Sequence, residues 1–182
     1  MRAYRDIIVR EVAGVLDAID EERSRKFVVE VARAKRIYIS GVGRSGLVVK
    51  AFGQRLMHLG FDVHLADEIT APAIRRGDLL VACSGSGTTH LTVYMARKAR
   101  RMGARCVALT ARPKSPLASL ARLTVVIPAP LEHGRNGNGT RQPARSLFEQ
   151  ALFLYLDSII LTAMQEMGIS EKRLARRHAN LE

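Results

Sequence analysis

The 182-residue chain has no tryptophan, and aromatic residues make up only 5% of it. Surfaces that stack unpaired nucleobases interleave aromatics with cations, so a single-stranded nucleic acid is not an expected partner. Cysteine is scarce too, at two residues. Cys83 and Cys106 cannot supply a disulfide framework or a metal cluster, and their places at the ends of apolar runs suit small buried hydrophobes. Acidic residues are few, 17 against 29 Lys and Arg, for a formal net charge of +12. That excess favours an anionic partner without choosing among phosphate, nucleic acid and a membrane surface. Long uninterrupted apolar runs are also missing. Met1 to Arg10 is broken by Arg2, Arg5 and Asp6, unlike a signal peptide. Ala151 to Met164 is broken by Asp157 and falls short of the ~20 residues that cross a bilayer. The expected setting is reducing and cytoplasmic, with no membrane.

What is present is enough apolar material, 47% of residues, for one domain with a sizeable core. Ile7, Ile8, Val12, Val15, Leu16 and Ile19 recur at helical spacing, and Phe27, Val28 and Val31 resume it, so two helices fill residues 1–35. From Arg36 the pattern changes to short β-rich runs: Ile37–Ser40, Val63–Leu65, Leu79–Ser84, Cys106–Leu109 and Val125–Ile127. Helical stretches such as Ser45–Leu59 and Thr89–Met102 separate most of them. Alternation of this kind over 36–127 predicts an α/β domain with a five-stranded parallel sheet flanked by helices. Residues 128–145, rich in Gly, Asn and Arg, read as a surface loop and a candidate lid. C-terminal helices follow over 146–182, with Ser146 as N-cap and Glu149 three residues on. Gly168 ends the first of them.

Two turns carry the chemistry. The first strand runs into Ser40-Gly41-Val42-Gly43-Arg44-Ser45-Gly46, and the third into Ser84-Gly85-Ser86-Gly87-Thr88-Thr89. A Gly-rich turn between strand and helix presents backbone N–H groups at the positive end of the helix dipole, which favours phosphate. The hydroxyls of the second turn can surround phosphate oxygens. The first turn also fits the GxGxxG spacing of a dinucleotide fold, and Asp67 stands near where a ribose-binding acid would be. That alternative leaves the second turn unexplained.

The segment Gly41 to Phe61, with Gly-Val-Gly-Arg-Ser-Gly and Arg55-Leu56-Met57-His58-Leu59-Gly60-Phe61, resembles the sugar isomerase (SIS) domain of 6-phospho-3-hexuloisomerases. Ile69 to Ile74, Gly77 to Leu80, Ser84 to Gly87, Ser146 to Gln150 and the closing Arg177 to Glu182 extend the likeness over nearly the whole chain. The resemblance implies a flavodoxin-like, doubly wound single domain spanning residues 1–182. It also implies isomerisation of D-arabino-hex-3-ulose 6-phosphate to fructose 6-phosphate by a homotetramer, without cofactor or metal. Relatives commonly carry an acidic residue where this chain has Thr88. Another SIS phosphosugar isomerase, or a sugar-phosphate sensor without activity, is the competing reading.

Moving a carbonyl from C3 to C2 requires removal of the C2 proton, a 2,3-enediol and return of a proton at C3. Glu149 resembles the family's proposed catalytic glutamate, and the same position also suits a capping box. His58 is a second candidate for proton transfer or carbonyl polarisation, with a structural histidine as the other reading. His178, near the chain end, can reach a neighbouring subunit's site only if subunits pack across it, with a solvated tail residue as the other reading. Ser40, Gly43, Arg44, Ser45, Ser84, Ser86, Thr88 and Thr89 are the expected substrate and phosphate ligands, Arg44 because its guanidinium can grip two oxygens. The cluster Arg97, Lys98, Arg100, Arg101 and Arg105 reads as a solvated helix face.

Overall fold

The computed structural model describes residues 1–132, 139–143 and 145–178. Two helices, α1 (Arg2–Asp17) and α2 (Glu21–Ala32), precede the first strand. Asp20 starts the second by accepting the Arg23 backbone N–H at 3.0 Å, which satisfies one of its open donors. The remainder runs β1 (Ile37–Gly41), α3 (Gly43–Leu59), β2 (Val63–Leu65), β3 (Leu79–Cys83), α4 (His90–Arg101), β4 (Arg105–Thr110), α5 (Pro116–Leu120), β5 (Leu123–Val126), α6 (Ser146–Glu166) and α7 (Glu171–Ala175). The five strands are parallel in the order β2-β1-β3-β4-β5. This is the doubly wound α/β arrangement expected from the sequence, with the flavodoxin-like strand order.

Strand residues alternate between two apolar layers, as the two-residue repeat of a pleated strand dictates. Ile37, Ile39, Leu79, Val81, Val107 and Leu109 join the larger layer, with α2, α3 and α6. Tyr38, Leu80, Ala82, Cys106 and Ala108 join the smaller one, with α4 and Leu117 of α5. Both cysteines are buried, at 1% and 2% exposure. Burial pushes the Cys83 thiol well above its usual range and the Cys106 thiol up to about 12, so both stay protonated.

Helix α3 crosses β1 at backbone contact. A Cβ on Gly46 would lie 2.7 Å from the Gly41 carbonyl oxygen, so only glycine fits where the helix meets the strand. The sheet pairs Gly41 with Cys83 in register, bringing the carboxyl ends of β1 and β3 side by side. The chain leaves β1 in one direction and β3 in the other, so the switch in strand order falls between them.

Several boundaries differ from expectation. The last strand begins two residues early, at Leu123, and the short helix α5 was not anticipated; it is capped by Ser115, whose hydroxyl accepts the Ala118 N–H. Helix α6 spans 21 residues, long and apolar enough to cross a membrane by length and composition alone, whereas the sequence reading judged its apolar core too short. Leu152, Leu156 and Ile159 bury it in the domain core instead. Ser146 does not cap it: Arg145 occupies the cap position without a side-chain cap bond, and its backbone is left-handed at φ 67°. Of the candidate lid, 128–145, residues 133–138 and 144 lie outside the described residues. The flanks of that segment are not a simple surface loop, because Leu131, Thr140 and Gln142 are buried.

Candidate active site

The second Gly-rich turn is tied together by its own hydroxyls. Ser84 Oγ lies 2.8 Å from Thr89 Oγ1, and Ser86 Oγ lies 2.9 Å from Thr88 Oγ1. The Gly87 N–H donates to Ser84 Oγ at 3.1 Å, and the Thr88 N–H donates to Ser86 Oγ at 3.3 Å. Gly87 takes φ +67°, and a Cβ there would stand 2.1 Å from Ser115 Oγ. Glycine is required both by the left-handed backbone and by the absence of space. The result is a loop of four hydroxyls at the N-terminus of α4, where the dipole of a 12-residue helix favours an anion.

Helix α6 delivers the carboxylate to the same end of the sheet. The hydroxyl turn backs onto α6, since a Cβ on Gly85 would meet the Phe148 ring at 3.2 Å. Glu149 follows Phe148 in the first turn of the helix and is 7% exposed. Its charge is felt at the end of β3, where it adds to burial in raising the Cys83 thiol. Arg44 Nε, from the first turn of α3, donates to Glu149 Oε2. The arginine side chain is 68% exposed and the glutamate 9%, so the pair sits at a wall with the cation facing solvent.

Most expected site residues therefore converge. Gly43, Arg44 and Ser45 open α3, and Ser84, Ser86, Thr88 and Thr89 form the neighbouring turn. Ser40 is buried one residue before the end of β1. Two residues stand apart. His58 is in the last turn of α3, ~21 Å along the helix axis from Arg44, at the opposite end of the sheet. It is buried, and its ring stacks on that of His178 at 5.1 Å. Asp67, the residue a dinucleotide site would use, pairs with Lys50 of α3 at 3.2 Å. Among the described residues, no group of three or more His, Cys, Asp or Glu side chains is gathered as for a metal ion.

The pairing of Arg44 with Glu149 was not read from the sequence, which gave the two residues separate tasks. Their separation of 105 positions leaves no local signal. The basic cluster divides as well: Arg97, Lys98, Arg100 and Arg101 lie exposed on α4, while Arg105 opens β4 and binds Glu30 at 2.9 Å.

A Gly- and hydroxyl-rich anion cradle beside a buried carboxylate, at the switch point of a 2-1-3-4-5 parallel sheet, defines a phosphosugar-binding α/β domain. The SIS domain family model matches residues 30–154, and the chain belongs to that family. Among its relatives, the 3-hexulose-6-phosphate isomerase of Mycobacterium gastri is 41% identical over 94% of this chain and 86% of its own. That of Bacillus subtilis is 36% identical over 96% and 95%. The crystal structure of a Methanococcus jannaschii protein, from which a 3-hexulose-6-phosphate isomerase function was inferred, superposes with a TM-score of 0.85 at 29% identity, covering 99% of each chain.

Proposed function

We propose that this chain isomerises D-arabino-hex-3-ulose 6-phosphate to D-fructose 6-phosphate through a 2,3-enediol, a step of formaldehyde fixation by the ribulose monophosphate route. The observation that carries the reading is the buried Glu149 carboxylate held by Arg44 beside the four-hydroxyl cradle. The likeness to named hexulose-phosphate isomerases over nearly the whole chain supports the substrate.

In this reading Ser84, Ser86, Thr88 and Thr89, with the Ser45 hydroxyl and the backbone N–H groups of both turns, hold the phosphate. Ser40 lines the floor at the strand end. The sugar then lies toward α6, where Glu149 removes the C2 proton. Arg44, exposed and carrying further N–H groups, holds a sugar oxygen while negative charge builds on the enediol. The proton returns at C3, and the hydroxyl proton moves from O2 to O3, leaving the carbonyl at C2. His58 and His178 belong to the opposite end of their own chain, so either one acts only at the site of a second copy. Exposed Val9 of α1 and Phe153, Leu154 and Leu161 of α6 offer an apolar face for such a copy, and the assembly proposed is a homotetramer.

The test is turnover of the purified protein with 3-hexulose 6-phosphate generated by an aldol-type partner enzyme, reading fructose 6-phosphate. Conversion is expected, with Glu149→Gln lowering kcat by on the order of 10²–10⁴ while binding persists. Binding without conversion, as in a sugar-phosphate sensor, would overturn the reading.

A further inference from the structure

One carboxylate away from the site is bound more fully than a surface acid requires. Glu11, half-buried on α1, receives three donors from a single short segment on the far side of the chain. The Thr140 hydroxyl donates to Oε2 at 2.6 Å and the Gln142 side-chain amide at 3.0 Å, while the Arg141 backbone N–H donates to Oε1 at 2.9 Å. The Thr140 hydroxyl also accepts the Gln142 backbone N–H at 3.0 Å. Thr140 and Gln142 are 1% and 4% exposed, so their side of the clasp is buried while Glu11 stands at its rim.

This segment is the approach to the catalytic helix. The Pro143 carbonyl accepts the Ser146 N–H at 3.0 Å, and the Arg145 carbonyl accepts the Glu149 N–H at 3.2 Å. Between them, Arg145 is the one non-glycine residue with positive φ among the described residues. A backbone strained in this way persists where its surroundings over-determine it. Here one side is the clasp and the other is the packed first turn of α6.

We infer that Glu11 is a positioning residue for the isomerisation: by holding residues 140–142 it fixes the start of α6, and with it the placement of the Glu149 carboxylate against Arg44. The inference rests on the reading of Glu149 as the base. A carboxylate is needed because the three facing groups are all donors. An amide in its place turns an NH₂ toward at least one of them. The phosphate cradle lies on other turns, so Glu11 governs the chemical step and not binding.

The experiment compares Glu11→Gln, Thr140→Val, their double variant and Glu149→Gln at a temperature where circular dichroism shows each folded. Glu11→Gln is expected to lower kcat about tenfold with KM changed less than about twofold, Thr140→Val to do so more weakly, and the double variant to be no worse than Glu11→Gln alone. Should Glu11→Gln fail to fold, Thr140→Val carries the same expectation of reduced kcat at constant KM. Normal kcat in the folded clasp variants, with Glu149→Gln inactive, overturns the positioning role and leaves the base in place. Additive losses in the double variant overturn it as well, and near-normal turnover of Glu149→Gln overturns both readings.

Discussion

Ser86 and Thr88 form the outer hydroxyl pair of the cradle, more open than Ser84 and Thr89 behind them. A phosphate that does not react contributes equally to ground and transition states, so Ser86→Ala is expected to raise KM severalfold and leave kcat within about twofold in steady-state assays. A second prediction concerns Glu11. Burial alone would raise its pKa, but the bonds from the Arg141 N–H, Thr140 and Gln142 outweigh burial and hold the carboxyl below its ordinary value. A depressed carboxyl stabilises the fold above the usual carboxylate range and loses that contribution as pH falls through its lowered value. The Tm gap between the native protein and Glu11→Gln should therefore be widest near neutral pH and close on acidification, as thermal melts across that range will measure. Residue types were legible from the sequence where the chemistry is local: both Gly-rich turns, Arg44 and Glu149 were singled out. The ion pair between the last two and the Glu11 clasp were not, because each joins positions more than a hundred apart and depends on how helices pack.

Elements were read well where periodicity was long and poorly where it was short. Helices α1 to α4 and the central strands emerge from apolar spacing. Five-residue α5 carries too few turns to show a period, and Leu123 reads as a strand residue only once Val107 stands beside it in register. Glu149 at the third position after Ser146 has the capping-box spacing, yet the carboxylate went to Arg44 because α3 and α6 pack side by side. The same packing makes the crossing of α3 on β1 a sensitive place. Gly46→Ala must push the helix off the Gly41 carbonyl, an overpacking cost of about 1–3 kcal/mol. Chemical denaturation should show that loss, and activity should fall further than stability alone explains, since Arg44 and Ser45 ride on the same first turn.

At the scale of the whole molecule, the domain leaves Val9, Phe153, Leu154 and Leu161 exposed on two neighbouring helices, and a groove lined by Ile8, Val12 and Leu16 runs between them. A tetramer covering this face should appear in light scattering at micromolar concentration, and Leu161→Lys, exposed in the single chain, should shift the population to smaller species without unfolding it. A monomeric native protein would contradict the proposal.

Helix α6 has a further consequence, for the order in which the protein can be made. It supplies Leu147, Phe148, Leu152 and Leu156 to the larger apolar layer, yet it follows every strand of the sheet in the chain. A nascent chain that has emerged only as far as β5 holds all five strands with the larger layer covered in part, by α2 and α3, and parallel pairing offers no local hairpin to close early. Apolar surface on that layer stays open until the ribosome has released the helix that carries both Leu147, Leu152 and Leu156 and the Glu149 carboxylate. Completion of the core and arrival of the Glu149 carboxylate are thus a single event.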